Sequence, residues 1–142
     1  MLKFKAYSGG KVKMKISELA DKAQVSAKTV RYYEQIGLLA PAQRANNGYR
    51  QYQQQNVETL VFIRRCRELN IAISDIKLLI DVQQDPKASC ASIDKIIADQ
   101  LARIQQSQRE LAMLEQSLAA LAASCQNHHV EDCCILHQLK SA

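Results

Sequence analysis

The chain has 142 residues, of which 47% are hydrophobic and 23% charged, with four glycines and two prolines. This fits one small domain, with or without a long helical extension, and excludes collagen-like, low-complexity and wholly disordered chains. The formal net charge of +5 is unevenly spread: residues 1–13 hold four lysines and no acid, residues 14–70 nine basic against five acidic residues, and residues 71–142 six against nine. A basic front half suits an anionic polymer, and an acidic rear half suits another task. No apolar run reaches the length of about 18 residues that a membrane span needs, and the N-terminus has no apolar signal core, so a cytoplasmic protein with no membrane partner is expected. In that compartment the five cysteines are read as reduced thiols for metal or redox work rather than as a disulfide framework.

Residues 1–13 show no apolar period and contain Ser8-Gly9-Gly10, which predicts a disordered tail. From Met14, a first domain is expected over 14–84. Ile16, Leu19 and Ala20 recur at helical spacing, and Ser26 can cap a second helix running Ala27–Glu34, with a break at Gly37. Two short helices joined by Ala23-Gln24-Val25-Ser26 make a helix-turn-helix, whose second helix can enter a major groove. Asn47-Gly48 between polar flanks then predicts a tight hairpin, hence a wing. Val57, Leu60, Val61, Ile63, Arg64 and Leu69 continue a helix, and Ser74 is expected to cap another through Ile76, Leu79 and Ile80.

Asp85-Pro86-Lys87 breaks the pattern, giving a linker over 85–91. A long helix is expected over 92–124. Steps of seven from Ile97 give Ile104, Leu111, Leu118 and Cys125, and the offset series gives Gln100, Ser107, Leu114 and Leu121. That is a heptad seam, which predicts a two-stranded coiled coil and thus a homodimer. The fold expected is mainly α: a winged helix-turn-helix, a long coiled-coil dimerisation helix, antiparallel if Cys90 is to meet the partner's loop, and a metal-binding loop and C-terminal segment over 125–142.

Lys28, Thr29 and Arg31 on the second helix are candidates for groove or phosphate contacts. Tyr32, Tyr33 and Tyr49 can donate hydroxyls to phosphates, and Arg44 and Arg50 flank the hairpin turn Asn47-Gly48 as phosphate clamps. The plainer alternative makes Tyr32 or Tyr33 a core aromatic and the arginines a solvated face. Cys66 reads as a small buried hydrophobe and is left out of the site.

Three of the five cysteines and all three histidines fall between Cys125 and His137. Thiolates clustered with imidazole select soft ions such as Zn(II), Cd(II), Pb(II) or Hg(II). A structural zinc staple and a sensing site weigh about equally on this pattern alone. Cys90 precedes the long helix, which at about 1.5 Å per residue separates it from Cys125 by roughly 48 Å in one chain. It can join Cys125 and Cys133 only across two antiparallel helices. No nucleotide-binding loop and no nucleophile with an orienting base is present, so no enzyme is expected.

The run Lys15-Ile-Ser-Glu-Leu-Ala, then Val30-Arg31-Tyr32-Tyr33-Glu34 with Gly37-Leu38-Leu39, then Arg44 and Asn47-Gly48-Tyr49-Arg50 with Tyr52, resembles the DNA-binding domain of the MerR family of bacterial transcription regulators. The resemblance covers nearly everything after residue 13. It implies a homodimer on double-stranded promoter DNA with an overlong spacer, which distorts that DNA when metal binds so that RNA polymerase can engage. It also implies that Cys90 of one subunit supplies a third thiolate to Cys125 and Cys133 of the other. The ending Cys133-Cys134-Ile135-Leu136 is similar to the cadmium, lead and zinc branch, and Phe62-Ile63-Arg64-Arg65-Cys66-Arg67 to its cadmium/lead members. Cys134, His128 and His129 enrich the loop as possible additional ligands, which keeps Zn(II) beside Cd(II) and Pb(II) as effector. The competing readings are a metal-buffering protein, which has no use for the wing, and a redox sensor on Cys133-Cys134, whose neighbouring Cα atoms are too close for an easy disulfide.

Overall fold

The computed structural model describes residues 13–124, 126 and 129–141. The expected disordered tail, except Lys13, and the candidate ligands Cys125 and His128 lie outside the described residues. The chain divides into two units, the first reaching Ile93 and the second starting at Asp94.

In the first unit, α1 (Ile16–Ala23) buries Leu19, Ala20 and Ala23, one stripe of a short amphipathic helix. It ends at Gln24, whose φ of 57° is left-handed, and the Val25 N–H reaches back to the Ala20 carbonyl at 3.0 Å. α2 (Ala27–Gln35) starts as the sequence predicts, with Ser26 Oγ accepting from Thr29 N–H at 3.0 Å. Its end is set by Gly37 at φ +78°. Gly37 N–H donates to the Glu34 carbonyl at 3.1 Å and Leu38 N–H to the Tyr33 carbonyl at 2.9 Å, the paired bonds by which a left-handed residue closes a helix. The turn delivers Leu38 and Leu39 into the core.

The wing is the hairpin β1 (Gln43–Arg44) and β2 (Arg50–Gln51), paired antiparallel with Gln43 opposite Gln51 and Arg44 opposite Arg50. Its turn is longer than the two-residue Asn-Gly turn that the sequence predicts. Ala45 N–H bonds the Tyr49 carbonyl and Gly48 N–H the Ala45 carbonyl, both at 2.9 Å, leaving Asn46, Asn47 and Gly48 as the loop. Asn47 is not among the positive-φ residues, whereas Gly48 has φ +82°. A two-residue type I′ turn needs positive φ at both central residues; here only glycine takes that conformation, so the three-residue form results. Beyond β2, Tyr52 exchanges both backbone bonds with Met14 at 2.9 Å, fastening the start of the domain to the end of the wing.

α3 (Gln54–Glu68) buries Val57, Leu60, Ile63 and Cys66 and packs on α1 and on α4 (Ile73–Gln83). Ser74 does not cap α4. The helix begins at Ile73 after Ala72, because Asn70 turns left-handed at φ 57° and Arg67 Nη1 holds the Ile71 carbonyl at 2.9 Å. Ser74 therefore falls inside the first turn. The centre of the core is Leu19, Val30, Leu39, Tyr52, Leu60, Ile63 and Ile76, drawn from both helices of the helix-turn-helix, the wing and the two helices behind it.

After a turn at Asp85–Ala88, Ser89 Oγ accepts from Ala91 N–H at 3.2 Å, and α5 runs Ala91–Ser124, one residue earlier than expected. Its 34 residues extend about 51 Å. In the second unit Ile96 is buried, but most of the large apolar residues of α5 stay exposed, including Ile97 (47%), Leu101 (56%), Ile104 (40%), Leu111 (65%), Leu114 (59%) and Leu118 (66%). Leu101, beside the polar Gln100 of the predicted seam, continues the apolar stripe at the front of the helix. A 3-10 turn (Val130–Asp132) and the seven-residue α6 (Cys134–Lys140) follow, within the expected metal-binding loop and C-terminal segment. No helix among the described residues is long and apolar enough to cross a membrane.

Candidate functional site

On α2, Lys28, Arg31 and Tyr32 are exposed, and their i, i+3, i+4 spacing puts them on one face. Val30 and Tyr33 turn inward and are buried. Tyr33, at 8% exposed, is a core aromatic with its ring centroid 5.7 Å from that of Tyr32. This corrects the expectation that both tyrosines present hydroxyls to phosphate, since the helical period sends neighbours to different faces. Thr29 is engaged locally, its hydroxyl 2.8 Å from Ser26 Oγ, so its first role is in the cap.

On the wing, Asn47 shapes the turn, its Oδ1 accepting from Tyr49 N–H at 3.2 Å. Tyr49 is 70% exposed. The elements converge on a cleft of about 360 Å³ lined by Lys15, Ile16, Ser17, Arg31, Gly48, Tyr49 and Arg50. Three cations and no acid line it. A second hollow of about 420 Å³ lies against Lys13, Gln43, Arg44, Ala45, Asn46, Asn47 and Gln51, again without an acid. The start of α1, the exposed face of α2 and the wing thus form a cationic surface with hydrogen-bond donors, the composition a phosphate backbone requires.

Lys15 and Ser17 were not among the candidates drawn from the sequence, nor were Glu34 and Tyr52. Tyr52 is fully buried and donates its hydroxyl to Glu34 Oε1. Glu34 Oε2 lies 3.7 Å from Arg50 Nη1. Arg50 is therefore paired to α2 as well as lining the cleft. Burial, reinforced by the Glu34 hydrogen bond and charge, pushes the Tyr52 hydroxyl up to about 12. Only their shared place in the Arg-Tyr-Tyr-Glu and Tyr-Arg-Gln-Tyr runs hints at this link.

Among the thiols, Cys66 is buried, as its helical context suggests, and burial raises its pKa. Cys90 is exposed just ahead of α5, and Cys133 is half-buried at the cap position before α6. Cys134 opens α6 and is also half-buried. His129 caps the 3-10 turn and is exposed. Among the described residues no three His, Cys, Asp or Glu side chains gather closely enough to hold an ion. The donors present, cysteine sulfurs with imidazole nearby in sequence, are of the type that soft divalent ions take.

Residues 14–83 match the MerR HTH family regulatory protein model, and residues 57–121 the overlapping MerR, DNA binding model. The chain belongs to the MerR family. It is 35% identical to the HTH-type transcriptional regulator CueR of Vibrio cholerae, over 89% of this chain and 91% of that protein. It is 35% identical to the mercuric resistance operon regulatory protein of Bacillus cereus, over 90% and 98%. The solved transcription regulator PbrR691 of Ralstonia metallidurans, in complex with lead(II), superposes with a TM-score of 0.81 at 32% identity, covering 89% of this chain and 98% of that one. MerR-type organisation thus extends from the helix-turn-helix into the long helix.

Proposed function

We propose that this MerR family member is a metal-responsive transcription regulator that binds promoter DNA as a homodimer and is switched by a soft divalent ion. The cationic surface of Lys28, Arg31, Tyr32, Tyr49, Arg44 and Arg50 contacts DNA, with Lys15 and Ser17 at its edge. The exposed stripe of α5 pairs with a second copy, since a solvated helix of this length does not hold its apolar face in water unaided. Antiparallel pairing brings Cys90 of one subunit to the loop of the other, where Cys125 and Cys133 complete three sulfur ligands. When bound, the ion supplies a crosslink between subunits; the chain's part is to offer thiolates from both ends of the helix pair. Metal acts by binding one of two conformations more tightly, and the distorted DNA offsets its deformation cost through added contacts. RNA polymerase is then the partner that reads the altered promoter.

The observation that carries the metal assignment is the thiol arrangement: Cys90 directly before a helix of 34 residues and Cys133 beyond its end. Cd(II) or Pb(II) is satisfied by three thiolates. A zinc-responsive reading draws on Cys134 beside Cys133 and on His129, which could add a fourth ligand of the kind tetrahedral Zn(II) takes. The deciding experiment is transcription from the chain's own promoter across Zn(II), Cd(II), Pb(II), Hg(II) and Cu(I). Activation by Cd(II) or Pb(II) at lower concentration than Zn(II) is expected, and induction by Cu(I) alone or by none of the ions overturns the proposal.

A further inference from the structure

One carboxylate joins the wing to α2, and its partner Arg50 lines a cleft that holds three cations and no acid. The Glu34 side chain is 10% exposed. One of its oxygens accepts from the Tyr52 hydroxyl, and the other lies 3.7 Å from Arg50 Nη1. Tyr52 belongs to the packed core, so it anchors the carboxylate rather than following it. Arg50 differs: its side chain is 41% exposed and lines the cleft with Arg31 and Lys15. A negative charge there weakens attraction for any phosphate, and the wing already has its ladder and the Met14–Tyr52 bridge to hold it. Stability of the wing therefore does not by itself account for an acid at this place.

We propose that Glu34 is a positioning residue that sets the discrimination between DNA sites, holding Arg50 at one reach from α2. This rests on the DNA-binding function proposed above. A guanidinium on a long flexible stem loses rotamer freedom when it docks; tethered to Glu34, it has lost much of that freedom beforehand, which favours a complex whose phosphate lies where Arg50 already points. DNA of another shape forgoes the Arg50 contact, because drawing Arg50 off the carboxylate would leave Glu34 facing phosphate without its cation. The wrong complex is penalised more than the right one, which is how specificity arises without a base contact.

The test uses full-length protein and two probes: the duplex that wild-type protein enriches from a randomised pool, and the unselected pool itself. Glu34→Gln should bind the selected duplex more weakly and the pool more tightly, lowering their affinity ratio about fivefold, the scale of one exposed ion pair. Its salt dependence on the pool should steepen by about 0.9 in logarithmic slope as Arg50 is released to phosphate. Tyr52→Phe keeps the charge and should weaken only the selected duplex. In an Arg50→Gln background, Glu34→Gln should leave the ratio unchanged. An unchanged ratio in the single variant, the same fall in both backgrounds, or parallel loss on both probes with a lower melting temperature overturns the proposal. Failure of wild-type protein to enrich any duplex is a separate result, and it overturns the DNA-binding reading itself.

Discussion

Tyr52 and Glu34, 18 positions apart, are joined by a hydrogen bond from the fully buried phenol to the α2 carboxylate. The bond has a consequence at high pH. The Tyr52 hydroxyl is raised from 10.0 to about 12, first by burial and then by Glu34. Because the folded value lies above the unfolded one, the protonated phenol contributes stability that is complete below pH 10 and lost as pH rises towards 12. Wild-type denaturation midpoints should therefore fall faster than those of Tyr52→Phe between these values. Parallel curves for the two proteins would show that the buried phenol carries no such linkage.

Gln24 is the second prediction. It holds φ 57° at the end of α1, a left-handed conformation that glycine adopts without Cβ strain. Gln24→Gly should stabilise the domain by roughly 0.5 kcal/mol, the strain relieved being partly offset by the freer unfolded chain. The thermal midpoint should rise by about 2–4 °C with DNA affinity unchanged. A lower midpoint would mean that the Gln24 side chain contributes more than its backbone costs.

Local signals in the sequence were the legible ones. Ser26, Gly37 and the apolar stripe of α1 act within one turn of chain, and each does in the fold what its chemistry allows. Cys66 is buried for the same reason, one helical turn after the buried Ile63 and on the same face. The misread features depend on partners far along the chain or on exact phase. Tyr33 was indistinguishable from Tyr32 until the core fixed the rotation of α2. Ser74 has the chemistry of a cap, but the α3–α4 connection starts the helix before it. Glu34 and Tyr52 meet because β2 returns beside α2, a relation without periodicity. The thiols were legible as soft ligands by type, whereas the assembly proposed for them calls on a second chain and on Cys125, which lies outside the described residues.

A third prediction separates exposed from buried candidates on α2. Lys28→Ala and Arg31→Ala should each weaken DNA binding, and each that removes a phosphate contact should lower the salt slope by about 0.9. Tyr33→Phe should change DNA affinity little, because its ring is 8% exposed. Binding titrations at two salt concentrations check all three. Unaltered binding in both cation variants would remove α2 from the interface.

The exposed stripe of α5 gives a fourth. Leu111 and Leu118 are 65% and 66% exposed, so a glutamate at either site displaces little packing within one chain. In a paired helix it places charge in the seam. Leu111→Glu and Leu118→Glu should shift sedimentation from dimer to monomer and make helix content fall on dilution. Dimers that persist in both variants would place the association elsewhere on the molecule.

The shared thiol site is the most exposed of these expectations. Cys90 precedes α5 and Cys133 follows it, with 34 helical residues of α5 between them, about 51 Å of helix. If the site is completed across an antiparallel pair, Cys90→Ser should abolish the metal response as fully as Cys133→Ser. Cys134→Ser should do much less when the ion is Cd(II) or Pb(II), and comparable harm when it is Zn(II). Mixing supplies the trans test. A purified heterodimer of Cys90→Ser with Cys133→Ser has one site lacking both residues and one site intact, so it should bind half the metal of wild type, whereas each homodimer lacks one thiolate in both sites. Thiolate-to-metal absorption reads this directly. No recovery in the heterodimer overturns the site shared across the two subunits; if instead the Cys90→Ser homodimer binds with an undiminished sulfur signal, the ligands all come from one loop, and that loop is a self-contained staple rather than a sensor spanning two subunits.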